Sequence, residues 1–101
     1  MEFAELRRKL AGVVAIPVTP FDEHDQLAES AYAGVLTRMV DGGIEVVTPN
    51  GNTGEFYSLS QAEARRAAEN TVKEVGDRAA VIVGVGLDTS GAIAAACWAR
   101  C

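Results

Sequence analysis

Three short apolar runs alternate with longer amphipathic stretches along the chain. The runs cover residues 13–16, 44–47 and 79–83. They are almost wholly apolar, as expected for strands covered on both faces. After each run come a loop and a stretch whose apolar residues recur three and four positions apart, which predicts a helix with one buried face. Repeated strand–helix units of this length predict parallel strands joined by right-handed crossovers.

Four helices are predicted, over residues 2–10, 28–41, about 60–75 and 88–101. Ser60-Gln-Ala-Glu63 forms a capping box at the start of the third, and Asp88-Thr-Ser90 caps the fourth. Glycines at 42–43 and at 76 are expected to end the second and third helices, since glycine adopts the left-handed conformation of a C-cap. Pro17 is expected to end the first strand.

Each helix has a predicted apolar face. The first carries Phe3, Leu6 and Leu10 on one side. The second carries a stripe that we interpret as core: Tyr32, Val35, Leu36, Met39 and Val40. The third is expected to turn inward Ala64, Ala67, Ala68, Thr71, Val72 and Val75.

Composition and charge narrow the class of protein. Of the 101 residues, 49% are apolar and 23% are charged, which is typical of a globular domain. The net charge of −5 without a basic stripe argues against nonspecific binding to nucleic acid. The first ten residues have no apolar core after their charges, as a signal peptide would, and no run approaches the ~18 apolar residues of a membrane-spanning helix, so a cytoplasmic location is expected.

Neither the cysteines nor the single histidine forms a convincing metal site. Cys97 and Cys101 stand four apart on one helix face, which predicts two reduced thiols with Cys97 facing the core. His24 lies in the polar stretch 22–26, whose acidic residues fit no calcium loop, so a solvated turn is predicted. We therefore expect no metal and no cofactor.

The loop after the second strand, residues 48–55, is the leading candidate for a site. It combines Gly51 and Gly54 with the short polar side chains of Asn52 and Thr53. A strand that ends in such a loop directs backbone N–H groups and small polar groups to one spot, where a small anion can bind. A plain turn between strand and helix explains the same residues equally well.

Two nucleotide-binding motifs do not fit. Gly84-Val-Gly86 would need a third glycine at Thr89 to complete the dinucleotide fingerprint. No Lys-Ser/Thr pair follows Gly54, as a P-loop requires. Gly84 and Gly86 are better explained by close packing of a strand end on a helix, although in a barrel they could also border the site.

Several short motifs, in order and at suitable spacing, resemble the dihydrodipicolinate synthase / N-acetylneuraminate lyase family. They are Val18-Thr-Pro-Phe21, Gly42-Gly-Ile-Glu-Val-Val47, Gly51-Asn-Thr-Gly-Glu55, Leu59-Ser60, Glu63, Val81-Ile-Val-Gly-Val-Gly86 and Thr89. The resemblance covers nearly the whole chain, and residues 51–59 look nearer to the 5-dehydro-4-deoxyglucarate dehydratase side of the family.

The resemblance implies a TIM (β/α)8 barrel, usually in a homotetramer. Its members are lyases that form a Schiff base between a lysine and pyruvate or a related 2-keto acid or sugar acid. Thr53 matches the threonine whose hydroxyl and amide hold the carboxylate. Gly54, and Gly51 with it, supplies an amide or lets the backbone approach. Asn52 stands where many synthases have a proton-relay threonine, and an amide is a poor proton shuttle.

A full barrel needs about 250 residues, so 101 residues match its first three β/α units. The family's Schiff-base lysine and relay tyrosine belong to later strands, and Lys9 and Lys73 are predicted on helices outside the barrel. We therefore expect residues 1–101 to be the N-terminal part of a single barrel domain, inactive alone. The alternatives are a non-enzymatic α/β module that binds an anion or a protein partner, and a small Rossmann-like or flavodoxin-like domain.

Overall fold

Helices and strands alternate in the predicted order. The computed structural model describes residues 1–99, and Cys101 with the predicted last turn lies outside them. The helices are α1 (Phe3–Leu10), α2 (Glu29–Asp41), α3 (Gln61–Val75) and α4 (Thr89–Ala99). The strands are β1 (Val14–Ala15), β2 (Val46–Val47) and β3 (Ala80–Val81), and a 3₁₀ turn covers Phe56–Ser58.

The three strands form one parallel sheet in the order β1-β2-β3. Each strand lies inside its predicted run but is shorter. Backbone hydrogen bonds nevertheless continue beyond the strands. The Gly84 N–H donates to the Pro49 carbonyl at 2.9 Å, so the chain after β3 stays attached to the chain after β2.

One face of the sheet packs against α2 and α3. The core cluster consists of Tyr32, Leu36, Val47, Ala67, Val75 and Ala79. The predicted stripe of α2 is confirmed, since Tyr32 and Leu36 are fully buried. The hydroxyl oxygens of Tyr32 and Thr71 lie 3.0 Å apart, and Thr71 donates onward to the Ala67 carbonyl. Both buried hydroxyls are therefore satisfied.

The predicted helix ends are confirmed. Ser60 accepts a hydrogen bond from the Glu63 N–H, and Glu63 accepts one from the Ser60 N–H. Asp88 accepts from the Gly91 N–H at 2.6 Å and so caps α4. Gly43 and Gly76, which follow α2 and α3, have φ angles of +100° and +58°. These caps involve only residues close in sequence, which is why the pattern predicts them.

The other face of the sheet stays partly open. Val14, Val46 and Ala80 share this face by register. Val46 is fully buried, whereas Val14 is 41% exposed and Ile82, two positions beyond Ala80, is 40% exposed. Within residues 1–99, β1 and β3 are edge strands. A parallel sheet with apolar residues on both faces and two free edges matches part of a barrel that has not closed.

Two expectations about side-chain burial are wrong. Val72 is 56% exposed, because α3 buries the neighbouring stripe that includes Thr71 and Val75. Cys97 is exposed, since the buried residue of α4 is Ala95, about 200° away around the helix. In α1 the apolar Phe3 is 91% exposed. The pattern shows which residues share a face but not which face the neighbours cover.

None of the helices within residues 1–99 combines the length and the apolar character needed to span a membrane.

An ion pair joins the start of α2 to α3 and predicts that the stability of the fold depends on pH. Arg66 and Asn70 both donate to the Glu29 carboxylate, and the Arg66 bond, followed by the Asn70 bond, lowers the pKa of Glu29 below its ordinary value. A lowered pKa in the folded state means that the contribution to stability is present above the ordinary pKa. The contribution of Glu29 is lost as the pH falls through its lowered pKa in the folded state.

We expect Glu29→Gln to be less stable than the unsubstituted chain at pH 7, because the charged pair is lost. The difference should disappear in acid, once Glu29 itself is protonated. Urea denaturation at a series of pH values measures both curves. Glu2→Gln, at an exposed position outside this pair, is the matched control and should change little at any pH. A difference for Glu29→Gln that persists unchanged in acid would contradict the assignment.

Candidate functional site

The polar stretch after β1 is an exposed turn, as predicted. The Asp22 carboxylate accepts hydrogen bonds from the N–H groups of His24 and Gln26. The Asp22 carboxylate therefore stabilises the backbone of the turn. Among residues 1–99 no group of three or more His, Cys, Asp and Glu side chains is placed to hold a metal ion.

The loop that follows β2 lies at the carboxyl ends of the strands, the edge at which open and closed α/β sheets bind ligands. It is built from consecutive tight turns. The Gly54 N–H donates to the Gly51 carbonyl at 3.1 Å, and the Glu55 N–H donates to the Asn52 carbonyl at 3.0 Å. Asn50 and Glu55 have left-handed φ angles of 63° and 55°. The loop is therefore a series of tight turns between two residues with left-handed backbone conformation.

Three hydrogen-bond donors at Asn52 and Thr53 have no partner within residues 1–99. Asn52 and Thr53 are exposed. Across residues 1–99, no hydrogen bond engages the N–H of Asn52, the N–H of Thr53 or the Thr53 hydroxyl. Two adjacent N–H groups and one hydroxyl at the same point of the loop suit a small anion such as a carboxylate.

Gly54 packs against the chain after β1. Its N–H is used inside the loop, so it does not face outward. A Cβ at this position would lie 3.0 Å from the Thr19 hydroxyl oxygen and 3.1 Å from the Pro17 carbonyl oxygen. Gly54 thus lets the loop approach the chain after β1. At Gly51, a Cβ would lie 2.6 Å from Ile16 Cγ2, a second close approach.

Thr19 holds the loop from the β1 side through a hydrogen bond, and sequence reasoning did not single it out. Its buried hydroxyl donates to the Gly54 carbonyl at 2.7 Å. The contact joins residues 35 positions apart. The only signal for it was that Thr19 belongs to the Val18-Thr-Pro-Phe21 motif.

Asn50 holds the loop from the α3 side through a hydrogen bond, and sequence reasoning missed it as well. Its side chain is 4% exposed, and its Nδ2 donates to the Ala64 carbonyl at 3.0 Å. An Asn-Gly pair such as residues 50–51 is common in turns. It did not indicate a buried hydrogen bond to a helix.

Gly84 and Gly86 contact the β2–α3 connection, and at Gly84 the close neighbour is loop backbone rather than the expected helix. A Cβ at Gly84 would lie 2.2 Å from the Asn50 carbonyl oxygen. One at Gly86 would lie 3.3 Å from Phe56 Cε2. The chain after β3 therefore borders the loop, which is the other role that the sequence left open.

The two lysines lie at the opposite end of the sheet. Lys9 belongs to α1, just before β1, and Lys73 belongs to the last turn of α3, which leads back to the start of β3. Lys9 is only 6% exposed, and its Nζ lies 3.9 Å from a Glu5 carboxylate oxygen. The helical positions of both lysines are as predicted.

A model of the Dihydrodipicolinate synthetase family matches residues 9–100. The chain belongs to this family. Its members include enzymes named as synthases and as dehydratases. The chain is 35% identical over 81 residues to the 4-hydroxy-tetrahydrodipicolinate synthase of Bartonella quintana, covering 80% of this chain and 28% of that protein. It is 32% identical over 90 residues to the probable 5-dehydro-4-deoxyglucarate dehydratase of Bacillus subtilis, covering 89% and 29%.

Among family members of known structure, dihydrodipicolinate synthase from Bacillus clausii superposes with a TM-score of 0.89 at 40% identity. The match covers 94% of this chain and 32% of that one. The fold is therefore that of the first three β/α units of a TIM barrel, with the sheet unclosed. The chain spans less than a third of the length of the two curated relatives, and similar identities to both do not separate synthase from dehydratase.

Proposed function

We propose that residues 1–101 are the N-terminal part of a single (β/α)8 barrel domain in a Schiff-base-forming lyase. The substrate class is a pyruvate-type 2-keto acid or a sugar acid, and the reaction is aldol condensation, aldol cleavage or dehydration. Family membership supports the reaction class. The observation that carries the proposal is the cluster of unengaged donors at Asn52 and Thr53, at the carboxyl edge of the sheet.

Each residue of the loop has a role in this proposal. The Thr53 hydroxyl and N–H, with the Asn52 N–H, donate to the carboxylate of the keto acid. Gly51 and Gly54 allow the loop to pack closely on the chain after β1, which keeps these donors at one point. The Asn52 side chain can orient a substrate oxygen by hydrogen bonding. It cannot relay a proton at neutral pH, since its amide has no accessible pKa.

Thr53→Val tests the carboxylate site directly, because valine has nearly the shape of threonine without the hydroxyl. A hydrogen bond to a charged group contributes about 1.5–3 kcal/mol, so pyruvate should bind at least about tenfold more weakly. Titration with pyruvate, followed by ¹H–¹⁵N NMR, measures the affinity. In the unsubstituted chain the largest shifts are expected at the amides of Asn52 and Thr53.

Two controls accompany this titration. Thr37→Val removes a hydroxyl on α2 that bonds Glu74 instead, and it should leave pyruvate binding unchanged. Methyl pyruvate, which lacks the charged carboxylate, should not shift the loop amides. Equal affinity of Thr53→Val and the unsubstituted chain would refute the role of Thr53.

The 101-residue chain itself should not turn over a keto acid. Its two lysines, Lys9 and Lys73, lie away from the loop, and no Schiff base can form where the carboxylate binds. Borohydride reduction in the presence of pyruvate, followed by mass spectrometry of the intact chain, should give no stoichiometric adduct on Lys9 or Lys73. Free lysine with pyruvate sets the level of nonspecific reduction, which the two lysines of the chain should not exceed. A stoichiometric adduct on either lysine would overturn this prediction.

A non-enzymatic module is the second candidate, and the exposed apolar positions Val14 and Ile82, beside the edge strands of residues 1–99, would be its contact surface. Such a module would bind an anion or a protein partner and catalyse no reaction. Pyruvate binding at Thr53 argues for the lyase site. Its absence, together with partner binding along an edge strand, would support the module. The homotetramer and the cytoplasmic location stay predictions.

A further inference from the structure

Asn50 combines three features that are costly for an asparagine. Its backbone is left-handed, with φ of 63°. Its side chain is 4% exposed, so the amide has left water. Nδ2 donates to the Ala64 carbonyl, but Oδ1 accepts no hydrogen bond within residues 1–99. A buried acceptor without a partner opposes folding, as does a left-handed residue other than glycine.

Glycine would fill this position at lower cost. It adopts the left-handed backbone freely and carries no amide that must be buried. What glycine lacks is the Nδ2 bond to Ala64. Asparagine at this position therefore restrains the backbone through the Nδ2 bond, although glycine would make the turn itself more stable.

That restraint acts on the residues that present the donors. Asn50 immediately precedes Gly51, whose carbonyl accepts from the N–H groups of Gly54 and Phe56. The Asn50 carbonyl faces Gly84 so closely that no side chain fits between them. The peptide between Asn50 and Gly51 is thus held on one side by α3 and on the other by the chain after β3. Its orientation sets the direction of the turn at Asn52 and Thr53.

We propose that Asn50 is a positioning residue for the carboxylate site. It acts through the Nδ2–Ala64 bond, and it aims the N–H groups of Asn52 and Thr53 without touching the ligand. This inference rests on the proposed function for its ligand. The restraint on the loop is a property of the chain alone.

Asn50→Gly separates positioning from stability. It keeps the left-handed turn, so the urea midpoint should stay close to that of the unsubstituted chain, while pyruvate binds about fivefold or more weakly. Asn50→Asp keeps the size of the side chain but replaces the amide donor with a carboxylate, whose charge also repels an anion, so it should weaken binding at least as much. Because glycine alone also loosens a loop, increased motion of the loop amides in both variants without ligand assigns the effect to the Nδ2 bond. Far-UV circular dichroism checks that both fold.

Tyr32→Phe is the matched control. It removes a buried hydrogen bond to Thr71, elsewhere in the core, and lowers the urea midpoint. A merely structural role for Asn50 predicts that affinity follows stability across all three variants. A positioning role predicts that Tyr32→Phe lowers the urea midpoint without changing the affinity for pyruvate. It predicts that Asn50→Gly weakens pyruvate binding without changing the urea midpoint. Unchanged affinity in both Asn50→Gly and Asn50→Asp would overturn the proposal.

A measurement without ligand distinguishes failure of the proposed function from failure of the positioning role. ¹⁵N relaxation should show increased motion of the Asn52 and Thr53 amides in both Asn50 variants, and no increase in Tyr32→Phe. If the unsubstituted chain binds no pyruvate but the loop loosens as expected, the proposed function fails and the restraint stands. If the loop amides do not change, the positioning role fails, whatever the affinity.

Discussion

Gly84→Ala should lower the free energy of unfolding by about 3 kcal/mol. The added Cβ would lie 2.2 Å from the Asn50 carbonyl oxygen and 2.9 Å from its carbonyl carbon. Both are backbone atoms, so no side-chain rotation relieves the overlap. The Gly84 N–H is also bonded to the Pro49 carbonyl, which prevents the two segments from moving apart without losing that bond. Urea denaturation followed by circular dichroism measures the loss.

Gly34→Ala is the control for this substitution. Gly34 lies in α2, and a Cβ there meets nothing within 4 Å. Alanine has the higher helix propensity, so this variant should gain about 0.5–1 kcal/mol. The two glycine-to-alanine changes should therefore have opposite signs. A Gly84→Ala chain as stable as the unsubstituted one would show that the loop and the chain after β3 do not pack as described.

Leu36→Ala should cost about 3 kcal/mol as well. Leu36 is fully buried in the cluster that joins α2, α3 and β2. Its truncation removes apolar contacts and leaves a cavity that rigid helices and a sheet cannot fill. The same denaturation experiment measures the change.

Val72→Ala is the matched control for Leu36. By sequence spacing both residues belong to an inward-facing stripe, but Val72 is 56% exposed on α3. Its truncation should change the free energy of unfolding by no more than about 0.5 kcal/mol. A large loss at Val72 would mean that a neighbour covers this face of α3.

The amino-acid pattern by itself determined the order of the elements, the parallel sheet and the position of the candidate loop. It also predicted the caps at Ser60 and Gly76. These features depend on interactions between residues close in sequence, or on a periodicity that the backbone imposes. Family resemblance rests on the same local motifs, and the match over residues 9–100 confirms it.

Only the tertiary structure decided how the loop is held. The bond from Thr19 to Gly54 joins residues 35 positions apart, and the bond from Asn50 to Ala64 joins residues 14 apart. Burial of Leu36 and exposure of Val72 likewise depend on which helix face a neighbour covers. A sequence shows which residues share a face. The distances that select their partners exist only once helices and strands have packed.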